Sequence, residues 1–319
     1  MGCLDCTGLL GRVKAFQFSS IPVFELYRWI CPSHRHEFAS PEGRGGSESP
    51  ETNYQAQMPS TALVASAGLA AAALGYYIYK STKRAKITLG YWKIRGLAAP
   101  ARMMLTYAGA EWKDATYELT AKPEGGWDGS VWMKDAKPAL REQNALINLP
   151  YLIDHDNGDL VVTQSTAVYQ YLARQLGLAG SSRKAQAVSE QILAQAFDLR
   201  NDTMKIIYPF SGVDAAAYPG KLAEHMKGSF AGHATKFESF LGEQPYFAGS
   251  EITAGDFHVF EMLDQHFLMA VAGSLPSPLE SFPKLKAFHV RMKSLPQLQP
   301  YFASPAYEYI VNNKMAHFK

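Results

Sequence analysis

The chain has 319 residues, which is long enough for one large domain or two smaller ones. Hydrophobic residues make up 47% of it and charged residues 19%, as in a globular protein with a substantial core. The formal net charge of +2 gives no reason to expect a nucleic acid as a partner. The three cysteines are at positions 3, 6 and 31. Residues 32–319 therefore contain neither a disulfide framework nor a cysteine nucleophile.

Residues 1–60 are expected to form a mostly disordered or targeting extension. Residues 40–60 are rich in Pro, Gly, Ser and Glu, and this composition cannot bury enough apolar surface to order itself. The ordered part of the chain is therefore expected to begin after this extension.

Residues 61–79 carry no charge and predict a single transmembrane helix. A helix of this length would span about 28 Å, which is close to the thickness of a bilayer core. Lysine and arginine follow at once, and by the positive-inside rule the downstream part would face the cytosol. The anchoring membrane would be that of the endoplasmic reticulum or the outer mitochondrial membrane. The alternatives are a soluble alanine-rich helix or a cleaved targeting segment, which would leave a soluble cytoplasmic protein.

From residue 86 onward, strands and helices alternate in the order β-α-β-α-β-β-α. The last two strands flank an Asn157-Gly158 pair, which is a strong signal for a tight turn, and Gly177 ends the final helix. This order is typical of a thioredoxin-like α+β domain. The predicted strands are 87–89, 116–119, 151–153 and 160–162, and the clearest predicted helices are 100–107 and 165–176.

Residues 181–319 are predicted to be helical throughout. One long helix is expected at 189–208, where Pro209 ends it, and another at 219–241. Thr253 and Asp256 stand three residues apart before an apolar run, the spacing of a capping box with Asp in place of Glu. Their expected role is structural. The fold class is therefore an α+β domain followed by an all-α domain.

Candidate site residues lie at three places in the α+β part. Tyr91 stands where the first strand turns into the first helix, and the free N–H groups and positive dipole end there suit an anion such as a thiolate. Pro150 opens the third strand, a position that needs no N–H for the ladder. Gln164 and Ser165 begin a helix whose N–H groups suit a carboxylate, although a plain helix cap is the alternative.

Together these features resemble a mu-class glutathione S-transferase of the cytosolic type that carries an N-terminal extension. The resemblance covers residues 86 to about 305, and residues 171–175 add a sigma-like feature. It rests on Leu-Gly-Tyr-Trp-Lys-Ile-Arg-Gly at 89–96, Asn-Leu-Pro-Tyr at 148–151, Gln-Ser at 164–165 and the capping box.

The resemblance implies two domains and a role for each site residue. Residues 86–178 would be a thioredoxin-like glutathione-binding domain, and residues 181–319 an all-helical electrophile-binding domain. Tyr91 would be the catalytic residue, because its hydroxyl would stabilise the glutathione thiolate. The residues implied to bind glutathione are Tyr91, Trp92, Leu97, Trp132, Lys137, Asn148, Leu149, Pro150, Gln164, Ser165 and Asp198.

Some of these implied roles are specific. Leu149, before a cis Pro150, would pair its main chain with the cysteinyl part of glutathione, and Lys137 or Lys134 would bind the glycine carboxylate. Asp198 would reach the α-amino group of glutathione bound in a partner subunit, and Tyr208 would overhang the electrophile. The alternative is that Asp198 is a plain surface residue and that Tyr208 packs in the core.

The implied function is that of an enzyme that conjugates the glutathione thiolate to hydrophobic electrophiles. Glutathione would be a co-substrate, with no cofactor, metal ion or nucleic acid, and the chain would form a homodimer. Leu146 or Ile147 stands where mu-class enzymes place an aromatic residue of the dimer interface, so the mode of dimerisation stays open. The alternatives are a sigma-like glutathione-dependent isomerase and a non-catalytic scaffold that binds glutathione or a hydrophobic ligand.

Overall fold

The computed structural model describes residues 86–319. The expected extension at residues 1–60 and the expected membrane helix at 61–79 lie outside the described residues, so both stay predictions. Within residues 86–319, none of the helices combines the length and the apolar composition that crossing a membrane requires.

A four-stranded mixed sheet forms the first part of the described chain. Strand β1 (Lys86–Trp92) lies at its centre, parallel to β2 (Glu111–Tyr117) and antiparallel to β5 (Tyr151–Asp154). Strand β6 (Leu160–Thr163) pairs with β5, which completes the order β2-β1-β5-β6. Helix α1 (Ala99–Tyr107) connects β1 to β2 and buries its apolar residues. This arrangement is the thioredoxin-like domain that the element order predicts.

The second strand starts earlier than the sequence predicts. The apolar pattern indicates 116–119, whereas β2 begins at Glu111 and pairs along the whole of β1. Its middle is polar, and the Asp114 carboxylate accepts a hydrogen bond of 3.0 Å from Nε of the fully buried Arg102. Because this ion pair joins residues on two different elements, periodicity along the strand could not reveal it.

The connection between β2 and β5 contains short elements rather than one regular helix. Two short strands, β3 (Thr120–Ala121) and β4 (Trp127–Asp128), pair with each other outside the main sheet. A π-helical turn at Val131–Ala136 then leads into the short helix α2 (Lys137–Arg141). The small strand pair is an addition to the predicted order.

The rest of the described chain is helical. Helix α3 (Ser165–Gln175) follows β6 and packs on α1. The later helices are α4 (Arg183–Ile207), α5 (Tyr218–His225), α6 (Ala231–Leu241), α7 (Ala254–Ala272), α8 (Pro283–Ser294), α9 (Gln299–Phe302) and α10 (Pro305–Glu308).

Two of these helices have boundaries that differ from the predicted ones. Helix α4 begins before the predicted residue 189, because the Ser182 hydroxyl accepts a hydrogen bond of 3.1 Å from the Ala185 N–H and caps it there. The predicted helix at 219–241 is interrupted by a π-helical turn at Met226–Phe230, which separates α5 from α6.

Helix α7 is the central element of the helical part and is buried along almost its whole length. Its first turn contains the predicted pair Thr253 and Asp256. The Asp256 carboxylate accepts hydrogen bonds from the Thr253 N–H at 2.8 Å, the Thr253 hydroxyl at 2.9 Å and the Phe247 N–H at 3.0 Å. The carboxylate therefore provides hydrogen-bond acceptors for the polar groups at the start of α7 and holds the preceding loop against this helix.

A buried ion-pair cluster joins the sheet part to the helical part. The Arg95 guanidinium, just after β1, lies 2.7 Å from carboxylate oxygens of both Glu261 and Asp264 on α7. All three side chains are almost completely excluded from solvent. The Arg95 N–H also donates to the Ile310 carbonyl at 2.9 Å. These contacts set the position of the turn after β1, which carries the candidate site, relative to α7.

Candidate active site

A cleft of about 560 Å³ lies between the turn after β1 and the helices α4 and α7. Tyr91, Leu97 and Leu149 line it on the side of the sheet. Arg200 on α4 and His258 on α7 line it on the side of the helices. A volume of this size, with walls from two structural parts, is typical of a small-molecule site.

Tyr91 is at the end of β1 and is only 7% exposed. Its hydroxyl oxygen accepts a hydrogen bond of 3.2 Å from the Leu97 N–H, in the single helical turn that precedes α1. Burial raises the pKa of Tyr91 above its ordinary value of 10.0, and the Leu97 hydrogen bond offsets this only in part. The phenol is therefore protonated at neutral pH and keeps its own proton as a donor.

Gly96 makes room for this tyrosine. Its φ of +37° lies in the region that side chains disfavour. A Cβ atom at this position would approach both Oη and Cε1 of Tyr91 to 2.9 Å, which is closer than real contacts allow. The backbone at Gly96 thus lets the tyrosine hydroxyl and the Leu97 N–H meet.

Asn148 and Leu149 form the next part of the cleft, and the Leu149-Pro150 peptide bond is cis. The Asn148 N–H donates to the Thr163 hydroxyl at 3.1 Å, and this hydroxyl donates to the Asn148 carbonyl at 2.8 Å. Within residues 86–319, no backbone group bonds to the Leu149 N–H or carbonyl. Both polar groups of the Leu149 backbone are therefore available to a ligand.

Gln164 and Ser165 lie next to this segment but outside the cleft lining. Gln164 directly follows Thr163, which holds Asn148, and precedes the first residue of α3. Its φ of 74° and ψ of 118° are uncommon for a residue other than glycine and indicate local backbone strain. Ser165 is half-buried at the N-terminal end of α3, where unpaired N–H groups favour an anion.

Four residues that the sequence analysis predicts for the site are not part of the cleft lining. Trp132 is 1% exposed and packs in a small core, where its ring stacks on Tyr151 with centroids 5.8 Å apart. Lys137 is half-buried at the start of α2, and Lys134 is exposed one turn before it. Asp198 is exposed on α4. None of the four is among the residues that line the cleft, although Trp132 packs in the same small core as Trp92 and Leu149, which do line it.

Tyr208 closes the helical side of the cleft, at the end of α4. Its hydroxyl oxygen accepts a hydrogen bond of 3.2 Å from the Asn313 N–H. Its ring stacks on Phe210 with centroids 4.8 Å apart, and Phe210 is 81% exposed. Burial raises the pKa of Tyr208 above 10.0, so this phenol is also protonated at neutral pH.

Several lining residues are not found by the sequence reasoning. Arg200 and Met204 lie eight and four residues before the predicted Tyr208, so the same face of α4 brings both to the cleft, and this spacing was a usable signal. His258 and the C-terminal Asn313 gave no such signal, because only packing carries α7 and the last residues to the cleft.

Comparisons with known proteins show the family to which the chain belongs. The sequence pattern of the family described as "Glutathione S-transferase, N-terminal domain" matches residues 87–174. The pattern described as "Glutathione S-transferase, C-terminal domain" matches residues 198–305. These matches lie inside the two predicted domains, 86–178 and 181–319, whose exact boundaries stay predictions.

Two of the most similar relatives carry the name of the mu class. The chain is 34% identical over 218 residues to Glutathione S-transferase Mu 1 of Oryctolagus cuniculus, covering 68% of this chain and 91% of the relative. It is also 34% identical over 219 residues to Glutathione S-transferase Mu 2 of Mus musculus, with the same coverage of 68% and 91%.

Solved structures show the same fold. The structure of a Pi-class glutathione S-transferase from Onchocerca volvulus has a TM-score of 0.57 and 27% sequence identity, covering 72% of this chain and 99% of that one. The chain therefore belongs to the glutathione S-transferase family and is mu-like within it.

Proposed function

We propose that this glutathione S-transferase conjugates the thiolate of glutathione to hydrophobic electrophiles, with Tyr91 as the hydrogen-bond donor to the sulfur. The observation that carries the proposal is the hydrogen bond from the Leu97 N–H to the Tyr91 hydroxyl oxygen, at the wall of the cleft. This bond occupies the oxygen as an acceptor and leaves the phenolic proton to be donated to a ligand.

The chemistry follows from the pKa of the thiol. A free thiol has a pKa of about 8.5 and is only a few per cent ionised at neutral pH. A donor aimed at the sulfur stabilises the thiolate, and each unit by which the thiol pKa falls corresponds to about 1.4 kcal/mol. The thiol proton leaves to solvent, the sulfur attacks the electrophilic carbon, and the new C–S bond forms as the leaving group departs. The protein positions the reactants and stabilises the anion.

Glutathione would extend from Tyr91 toward the start of α3. The free N–H and carbonyl of Leu149 suit an antiparallel pairing with the cysteinyl part. Gln164, Ser165 and the N-terminal end of α3 suit the γ-glutamyl carboxylate. Trp92, Leu97, Asn148 and Pro150 would shape this side of the site. Lys137, or Lys134 instead of it, would bind the glycine carboxylate of glutathione. Trp132 would act at the same end by holding the segment that carries these lysines.

The active form would be a homodimer. The family is typically dimeric, and Asp198 is exposed, as a residue that reaches into a partner subunit must be. Leu146 is 72% exposed, and Val131 and Met133, on the same connection, are also exposed apolar residues. These side chains would be covered by the second copy. Tyr208, with Phe210 beside it, would contact the electrophile.

The place of action would be the cytosol, with residues 61–79 as a membrane anchor. The charge pattern after residue 79 supports this orientation. A hydrophobic substrate would then be concentrated close to the enzyme.

The decisive experiment is the Tyr91→Phe variant, assayed with 1-chloro-2,4-dinitrobenzene and glutathione. The loss of one donor aimed at the developing anion should lower kcat by about 100-fold. Binding to immobilised glutathione should persist, because the Leu149 and α3 contacts remain. An unchanged kcat would contradict the role of Tyr91. A wild-type chain that binds glutathione without turnover would instead indicate a scaffold. With an isomerisable substrate in place of 1-chloro-2,4-dinitrobenzene, isomerised product without conjugate would indicate an isomerase.

A further inference from the structure

His258 is a buried histidine whose hydrogen bonds are not satisfied by the protein. It is 1% exposed, lies on α7 and lines the cleft. Its Nδ1 has no hydrogen-bond partner among residues 86–319. Its ring is held edge-on by Phe197 at 4.6 Å and by Tyr169 at 5.4 Å between centroids. Buried polar groups in native proteins are almost always hydrogen-bonded, so the unpaired Nδ1 constrains which of the two ring nitrogens carries the proton.

The tautomer of His258 follows from its surroundings. Burial lowers the pKa of His258 to about 3, so the ring is neutral and carries one proton. With no acceptor beside Nδ1, the tautomer that avoids an orphaned N–H has its proton on Nε2. Nε2–H is then the group left to donate to a ligand in the cleft.

Arg200 supplies a positive charge to the same cleft. It is half-buried on α4, and its one hydrogen bond within the described part of the chain is a 3.3 Å contact with the side chain of its neighbour Asn201. Among residues 86–319, no carboxylate lies within ion-pair distance of its guanidinium. A guanidinium in this situation favours a carboxylate from outside, which it can bind through two parallel hydrogen bonds.

The carboxylate on the cleft wall, that of Glu261, is hydrogen-bonded to other residues. Glu261 also lines the cleft, but both of its oxygens accept from Arg95, at 3.1 and 2.7 Å, and one also accepts from Gln265 at 2.8 Å. Glu261 is therefore not an ion-pair partner of Arg200, and the Arg200 guanidinium is left without a carboxylate partner among residues 86–319.

We propose that Arg200 and His258 form a subsite for a carboxylate carried by the electrophile, so that this enzyme prefers hydrophobic electrophiles with a negatively charged oxygen group. This inference rests on the proposed function, because it places the subsite in the cleft where glutathione would deliver its sulfur. Met204 on α4 and Tyr208, which directly follows that helix, provide the apolar surface for the rest of such a substrate.

The test compares two inhibitors that differ only in the charged group, S-benzylglutathione and S-(4-carboxybenzyl)glutathione. Calorimetric titration of the full chain needs no turnover. The wild type should bind the carboxylated compound about tenfold more tightly. In Arg200→Gln and in His258→Leu this preference should fall several-fold, and in the double variant it should disappear. Arg183→Gln removes an exposed arginine at the start of α4 and should keep the full preference.

Each outcome has a distinct meaning. Equal binding of both compounds by the wild type, or a preference that persists in the double variant, would overturn the subsite. Equal loss of affinity for both compounds in Arg200→Gln would mean that Arg200 acts on glutathione itself, which also overturns it. If S-benzylglutathione does not bind the wild type, the proposed glutathione site is contradicted, and the subsite proposal is contradicted as well. A kinetic check compares 4-chloro-3,5-dinitrobenzoate with its methyl ester, whose kcat/KM ratio should fall about tenfold in the double variant.

Discussion

The Leu97 N–H donates a hydrogen bond of 3.2 Å to the Tyr91 hydroxyl oxygen, and the Leu97 carbonyl accepts one of 2.6 Å from the Tyr169 hydroxyl. The peptide groups on both sides of Leu97 are therefore held, one by the tyrosine of the cleft and the other by a buried tyrosine of α3. This places the Tyr91 hydroxyl through backbone geometry, without a charged partner.

The glycine before Leu97 gives the first prediction. Gly96→Ala should lower kcat/KM by about tenfold or more, because the new Cβ would lie 2.9 Å from Tyr91 Oη and displace the hydroxyl. The measurement is conjugation of 1-chloro-2,4-dinitrobenzene. Gly109→Ala is the matched control, since its φ is also positive, at +62°, but nothing lies within 4 Å of its added Cβ. Equal activity of the two variants would contradict the steric argument.

The capping of α7 gives the second prediction, which concerns stability. Asp256→Ala should lower the free energy of unfolding by at least about 2 kcal/mol, because two buried N–H groups and one hydroxyl lose their acceptor. Urea denaturation measures this. Ser182→Ala removes the cap of α4, which holds a single N–H at an exposed site, and should cost about 1 kcal/mol. If Asp256→Ala lowers the free energy of unfolding no more than Ser182→Ala does, the buried hydrogen bonds of Asp256 contribute no more than a single exposed helix cap.

A pair of buried histidines gives the third prediction. Nε2 of His225 lies 3.0 Å from Nε2 of His266, whose Nδ1–H donates to the Met262 carbonyl at 2.6 Å. Nε2 of His266 is then an acceptor, and His225 donates to it. Burial lowers the pKa of His225 to about 4 and that of His266 to about 3, so both rings are neutral in the folded protein.

The sign of the pH dependence follows from these values. The pKa of His225 is lower in the folded protein than its unfolded value of 6.5. The free energy of unfolding is therefore at its full value above pH 6.5 and decreases as the pH falls toward 4. His225 alone should lower the free energy of unfolding by about 2 kcal/mol between pH 7 and pH 5. In His225→Gln this difference should shrink, because the buried ring that must take up a proton is gone. The same difference in wild type and His225→Gln would refute the assignment.

The apolar segment before the described part gives the fourth prediction. A fusion of residues 1–85 to a fluorescent protein should sediment with membranes and resist extraction by carbonate, because the uncharged run at 61–79 is long enough to cross a bilayer. Two lysines introduced within 61–79 should release the fusion to the soluble fraction. A wild-type fusion that stays soluble would contradict the anchor.

Local chemistry in the sequence predicted much of the fold. The Asn157-Gly158 turn, the start of α3 and the Thr253–Asp256 pair all depend on residues close together in the chain, and they appear where the sequence indicates. The predicted start of β2 was wrong, because the strand pairs with the whole of β1 and its polar residue Asp114 is paired with Arg102 of α1, which the pattern along the strand does not reveal.

By itself, the sequence determined the family of this protein and the position of Tyr91 at the end of the first strand, since a short motif and the order of elements carry both. Only the tertiary structure decided what surrounds that tyrosine. The ion pair of Arg95 with Glu261, the burial of Trp132 and the approach of His258 to the cleft involve contacts between residues far apart in the chain. Such contacts depend on how α4 and α7 pack against the sheet, and no local pattern encodes that packing.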